Sequence, residues 1–370
     1  MHTFKEPSRH WLVLVDGTSL AAHRPGTDSY HSNVYNISLY LRTHNKNRQA
    51  QVAFYCKGIA SAEKSSTKEK LKGIGLRSLV EQAYLNIAMN YNDGDDGSER
   101  DYIYLFGFSR GAYILQIICN LIDTYGLLAP SRIMYFDKMY DDWAGIDEMT
   151  DRDSFKENYC LPAKISFCGV FDSVLGYYNE DKFSGNTIKV MDKKRKLPIC
   201  VDHAVHILSI DETRSEFVPY LWNSVTDAKQ KLFQIWMPGG HTDIGGGYPE
   251  RLLSDISLIT MLEYVNKLTE LQIDKNRFST TKNEIKARFG RDADKYIHDL
   301  GKNWYRPKFI QKKYRRSGYF SGGHYIHCLC KKFNGKYVAV NGQIEQYNLE
   351  DVFMKATESS LIASLFNDID

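Results

Sequence analysis

The sequence predicts an α/β fold: a mostly parallel sheet with helices on both faces, followed by a C-terminal extension of mixed character. Three observations carry this reading. Short β-rich runs end in Gly or Asp, and segments of helical period lie between them. One of the runs, Asp101–Phe106, is almost wholly apolar, as strands covered on both faces of a parallel sheet are. Strand and helix alternate, which is the order that crossover connections require.

Trp11–Val15 is the first strand, closed by Asp16-Gly17-Thr18, and Gln51–Tyr55 is the second. Lys70–Asn90 predicts a helix with Leu76, Leu79, Val80, Ala83, Ile87 and Tyr91 on one side, stopped by the polar turn cluster Asn92–Ser98. Asp101–Phe106 then runs into Gly107-Phe-Ser-Arg-Gly111, after which Ala112, Leu115, Ile118, Cys119 and Ile122 recur at helical spacing. Ala163–Phe171 and Phe233–Met237 predict two more strands, the first ending at Asp172 and the second in Pro238-Gly-Gly-His241. Ile256–Leu268 predicts a helix. From about residue 270 the strand signals weaken, which divides the chain into a core over 1–269 and an extension over 270–370. In the extension, Lys302–Arg316 interleaves Lys and Arg with Trp304, Tyr305, Phe309 and Tyr314. That texture suits a lid or a membrane- or partner-docking segment, and equally an ordinary solvated face.

At 370 residues and 43% apolar content the chain can bury a large core. A net charge of +3 gives no global pull toward nucleic acid, and none is expected as a partner. The seven Cys are scattered without metal-ligand spacing, so neither a disulfide framework nor a zinc site is expected. The first residues lack the apolar run and cleavage site of a signal peptide, and no apolar stretch approaches the ~20 residues of a membrane span. Synthesis in a reducing cytoplasm without a cleaved signal is the expectation.

The chemistry centres on Ser109. A hydroxyl is a weak nucleophile unless a base takes its proton and a rigid turn presents it. A strand–turn–helix with Gly107 and Gly111 around the Ser supplies that turn, and the Arg110 N–H opens the helix, where it can face a developing oxyanion. The alternative is a tight structural turn with a capping Ser. The base should be a His oriented by a carboxylate, in chain order Ser, acid, His. His241 lies just past a strand in a loop of five glycines and is the candidate; His206, on an apolar stretch, is the rival. Asp172 follows an apolar strand, where a carboxylate needs a partner. It is read as the acid, or else as the N-cap of a helix begun by Ser173. Asp243 competes for the acid's role or braces the glycine loop. The backbone of Gly17 and Thr18 is placed for a second oxyanion donor, with Asp16 holding that turn. This chemistry needs no metal or cofactor.

These residues fall in blocks: Asp16-Gly-Thr18; Asp101 through Ala112; Gly126-Leu-Leu128; Gly169-Val-Phe-Asp172-Ser-Val; His206 through Trp222, with Ser-Ile-Asp-Glu-Thr-Arg; and Trp236 through Glu250, continuing to Leu253-Ser-Asp-Ile256. Together they resemble the α/β-hydrolase family that includes the type VI secretion lipase effectors of the first class. The resemblance spans about residues 10–265. It implies an α/β-hydrolase-like sheet and a serine esterase acting on phospholipid acyl chains, with Ser109, Asp172 and His241 at the triad positions. It also implies delivery to a target cell by a secretion machine, and an immunity protein as a partner. Within the same serine chemistry, a soluble esterase or thioesterase for a small acyl substrate is the alternative. An idle hydrolase fold used for binding ranks below both.

Overall fold

The structure is a computed structural model; it describes residues 7–17, 31–58, 75–94, 99–175, 190–191, 193, 195–214, 217–289, 296–298, 324–330, 337–340, 343–346 and 357–358. Eight strands form one sheet: β1 (His10–Val15), β2 (Gln51–Cys56), β3 (Tyr102–Phe108), β4 (Ile165–Phe171), β5 (His203–Ser209), β6 (Lys231–Met237), β7 (His324–Ile326) and β8 (Thr357–Glu358). Their spatial order is β8-β7-β6-β5-β4-β3-β1-β2, and every neighbouring pair is parallel. The sheet is therefore of the α/β-hydrolase-like kind that the sequence implies.

Side chains alternate across the strands, and both faces are covered. Leu12, Leu14, Tyr104 and Phe106 face one core, which is closed by α1 (Asn33–Tyr40) and by a long helix near the end of the core region. Val13, Val15, Ile103 and Leu105 face the other core, closed by α2 (Leu76–Asn90) and α3 (Arg110–Tyr125). This double cover explains why the strands read as nearly unbroken apolar runs. A short helix α4 (His241–Gly245) follows β6, and the long helix α5 (Leu252–Leu268) then packs back onto the first core.

The strand order reverses at one place. The chain leaves β1 for the edge strand β2, returns past β1 to β3, and continues outward. Crossover segments on either side of such a reversal diverge and open a crevice at the carboxyl ends of β1 and β3. Asp16 and Ser109 stand at those two ends.

Some boundaries differ from expectation. β3 continues through Gly107 to Phe108, so the turn begins at Ser109 itself. No helix begins at Ser173. β5 was not expected as a strand, because two histidines interrupt its apolar run. The extension is built into the same sheet: β7 pairs with β6 and β8 with β7. Its helix α6 (Lys275–Phe289) sends Ile285 and Phe289 into the first core. The basic aromatic run 302–316 and Thr18 lie outside the described residues. Among the described residues no helix is long and apolar enough to cross a membrane.

Candidate functional site

Ser109 sits where β3 turns into α3, with φ 58° and ψ −128°. That is a conformation a non-glycine residue adopts only when its surroundings enforce it. The enforcement is close packing. A Cβ on Gly111 would collide with the Val15 and Asp16 carbonyl oxygens, and one on Gly107 would lie 2.7 Å from the Ala112 Cα. The helix start is thus pressed against the end of β1, and the Ser109 N–H is fixed by the Phe171 carbonyl at 3.1 Å. The Arg110 amide belongs to the first helical turn, where no carbonyl within the helix can meet it and the helix dipole is positive.

His241 opens α4. Its Nε2 lies 2.9 Å from Ser109 Oγ, and its Nδ1 lies 2.6 Å from Asp172 Oδ2. A carboxylate only accepts, so Nδ1 carries the ring proton and Nε2 is left to accept from the serine hydroxyl. Asp172 is fully buried and also has positive φ, at 40°. It accepts from the Ser209 N–H and Oγ, each at 3.1 Å, while its own N–H donates to Ile207 at 2.7 Å. The carboxylate is thereby held at the end of β4 by the end of β5. Phe108 and Phe217 pack on the imidazole, with ring centroids 4.6 and 4.7 Å away. Burial pushes the His241 pKa below its ordinary value, and Asp172 offsets part of that fall. A neutral imidazole so placed can take a proton from Ser109 Oγ and return it.

The loop that presents His241 is held amide by amide. The Gly239 N–H donates to Asp211 Oδ2 at 2.7 Å, the Gly240 N–H to Asp243 Oδ2 at 2.9 Å, and the His241 N–H to Glu212 Oε2 at 3.3 Å. Three consecutive amides meet three different carboxylates. Glu212 is itself buried and is gripped by Arg214 through Nε and Nη2, both at 2.8 Å. Such a pair is costly to break, since either charge alone would be left buried. The Arg214 guanidinium lies 3.5 Å over the Phe217 ring, so the same pair supports the wall of the imidazole.

The remaining predicted residues have definite places. Asp16 is buried; it accepts from the Tyr55 hydroxyl at 2.6 Å and from the Gly17 N–H at 2.8 Å. Burial raises its pKa. The Gly17 N–H is therefore engaged by Asp16. His206 is fully buried on β5, edge-on to Trp222, and its Nε2 accepts the Ser173 N–H at 3.0 Å. It fixes the backbone after Asp172 and is not paired with Ser109. Asp243 braces the glycine loop through the Gly240 N–H and bonds His298, with Nδ1 at 2.7 Å and the backbone N–H at 2.9 Å. Sequence reasoning singled out neither His298 nor the roles of Asp211, Glu212 and Arg214. Among the described residues no group of three or more His, Cys, Asp or Glu side chains is arranged to hold a metal ion.

With this geometry in place, comparison with known proteins identifies relatives. An uncharacterized protein of Saccharomyces cerevisiae, YEL023C, is 25% identical over 213 residues, which cover 49% of this chain and 29% of the yeast protein. The crystal structure of an uncharacterized protein from Pseudomonas aeruginosa matches with TM-score 0.47 and 16% identity, over 76% of this chain and 50% of that one. The Tle1 effector, solved bound to the VgrG spike of the Type 6 secretion system, matches with TM-score 0.38 and 16% identity, over 66% of this chain and 52% of its own. This chain thus spans about half the length of the solved chains and less than a third of the yeast protein. The model of the T6SS phospholipase effector Tle1-like catalytic domain matches residues 9–264, from β1 into α5 and through Ser109, Asp172 and His241. The chain belongs to the Tle1-like family of type VI secretion phospholipase effectors, within its catalytic domain.

Proposed function

We propose that this chain is a serine esterase of the phospholipase A type. The observation that carries the reading is the hydrogen-bonded line Ser109–His241–Asp172 at the switch point of a parallel sheet. Ser109 Oγ attacks an ester carbonyl of a phospholipid as His241 Nε2 takes its proton. Asp172 keeps the imidazole in the required tautomer and stabilises its cation. The oxyanion is met by the Arg110 N–H, while the Gly17 N–H serves Asp16; the second donor expected from Thr18 rests on the sequence alone. His241 returns the proton to the leaving lysophospholipid oxygen. Water, deprotonated by the same imidazole, then releases the fatty acid and restores Ser109. The residues themselves supply the nucleophile, the base and the oxyanion donors. Family membership supports delivery by a type VI secretion machine to a target cell, with a secretion component and an immunity protein as partners and the membrane surface as the site of action.

The test is fatty-acid release from mixed phospholipid vesicles, with a soluble short-chain ester run in parallel. The wild-type chain should release fatty acid. Ser109→Ala should lower that release on the order of 10³-fold or more, with a nearly unchanged thermal midpoint. Full activity in that variant would overturn the mechanism. Turnover of the soluble ester alone would keep the triad and move the substrate to a small acyl compound.

A further inference from the structure

Resting on that reading, we infer that His298, in the extension beyond the matched region, is a positioning residue for His241, acting through Asp243. The argument begins with the cost of Asp243. Its carboxylate is buried inside a glycine loop, and a buried carboxylate without partners is strongly unfavourable. Its Oδ2 accepts the Gly240 N–H, at 2.9 Å, from the residue immediately before His241. That oxygen also accepts the backbone N–H of His298, at 2.9 Å, and Oδ1 accepts from His298 Nδ1 at 2.7 Å. One residue of the extension therefore supplies two of the donors that hold this carboxylate.

The imidazole of His298 is fixed in turn. It stacks on Tyr248 at 3.8 Å with 22° between the planes, and its Nε2 lies 3.4 Å from Glu250 Oε2. Both residues belong to the far end of the loop that begins at Gly239. His298 thus touches the loop after α4 through its ring and the residue before α4 through Asp243. Its carbonyl oxygen also leaves no room for a side chain at Gly240. The loop is clasped at both ends by one residue. The segment 296–297 that leads to His298 pairs with Tyr337–Val340, which anchors it within the extension.

The consequence for chemistry is geometric. His241 must keep Nε2 at Ser109 and Nδ1 at Asp172 together, and an error of about 1 Å in a reacting group can cost 10²-fold in rate. Asp211 and Glu212, just past the end of β5, hold the amides on either side of Gly240, and Asp243 holds the amide between them. Asp243 draws on a residue outside 9–264, since two of the donors to its carboxylate come from His298.

The experiment uses the full chain. His298→Ala should lower kcat on phospholipid vesicles about 10- to 100-fold with KM within about twofold, because the substrate's contacts are untouched. His298→Asn, whose amide can donate to Asp243 Oδ1 from nearly the place of Nδ1, should recover most of the loss. In a double-mutant cycle with Asp243→Asn, the second substitution should add little to the first. Amide hydrogen exchange supplies a readout that needs no turnover: His298→Ala should lose protection at Gly240, His241 and Ile244 and keep it in α3 and β4. Unchanged kcat with unchanged protection of those amides would overturn the inference. A fully active Ser109→Ala would instead overturn the esterase reading and leave the exchange result to decide the clasp by itself.

Discussion

At the scale of the residue, the site depends on which proton sits where. In the proposed mechanism His241 works as a base only when its ring is neutral, and burial holds its pKa below 6.5. The acid limb of kcat/KM should therefore fall below pH 6.5, with activity full above it and lost as the pH drops and the imidazole charges. A rate profile on a soluble ester from pH 4.5 to 8 checks this, and a limb centred above 6.5 would contradict it. Ser109, Asp172 and His241 were legible in the sequence because each follows a strand end, where a parallel sheet gathers its polar groups. Asp211 and Glu212 obey the same rule, yet they follow β5, whose two histidines hid the strand. His298 had no comparable signal. A lone histidine among mixed charged residues has no periodicity to mark it, and only the folded chain brings it to Asp243.

At the scale of the element, the turn between β3 and α3 works because two chain segments approach with no side chain between them. Gly111→Ala would drive a methyl into the Val15 and Asp16 carbonyls and move either the helix start or the end of β1. Overpacking of this kind costs about 1–3 kcal/mol. The variant should unfold at lower urea and lose most of its activity, since Ser109 and the Arg110 amide shift together. A variant with wild-type stability and rate would show that the contact can relax. Elements were legible in the sequence where double burial produced apolar runs, as in β1, β3, β4 and β6. The short β7 and β8 offer too few residues for any pattern; β7 is a strand because β6 offers it an edge, and β8 because β7 offers the next.

At the scale of the whole molecule, burial of histidines ties stability to pH. His327 is fully buried between Thr260 Oγ1, at 3.0 Å, and the Leu329 N–H, at 3.0 Å, and its pKa is pushed down to about 3. In the unfolded chain it takes up a proton near pH 6.5; in the folded chain it does so only near pH 3. The unfolded state then binds more protons across that window. Stability is complete above about pH 6.5 and falls below it by about 1.4 kcal/mol per pH unit for each such histidine. His241 acts in the same direction. The buried carboxyls of Asp16 and Asp243, with raised pKa, take up protons first in the folded state and trim the loss at the acid end. Urea midpoints should decline steadily from pH 7 to pH 5, and a flat series would refute the account.

The strand order has a further consequence, in time. Ser109 and His241 are 132 residues apart, and His241 and Asp172 are 69 apart. Parallel neighbours cannot be joined by a hairpin, so each pairing from β3 to β6 waits on a long loop closure. Topologies dominated by such distant contacts assemble slowly. No local fragment of the chain holds two of the three groups, so a half-folded molecule has no half-formed catalyst. On the proposed reading, chemistry switches on only when the last of these strands has found its place.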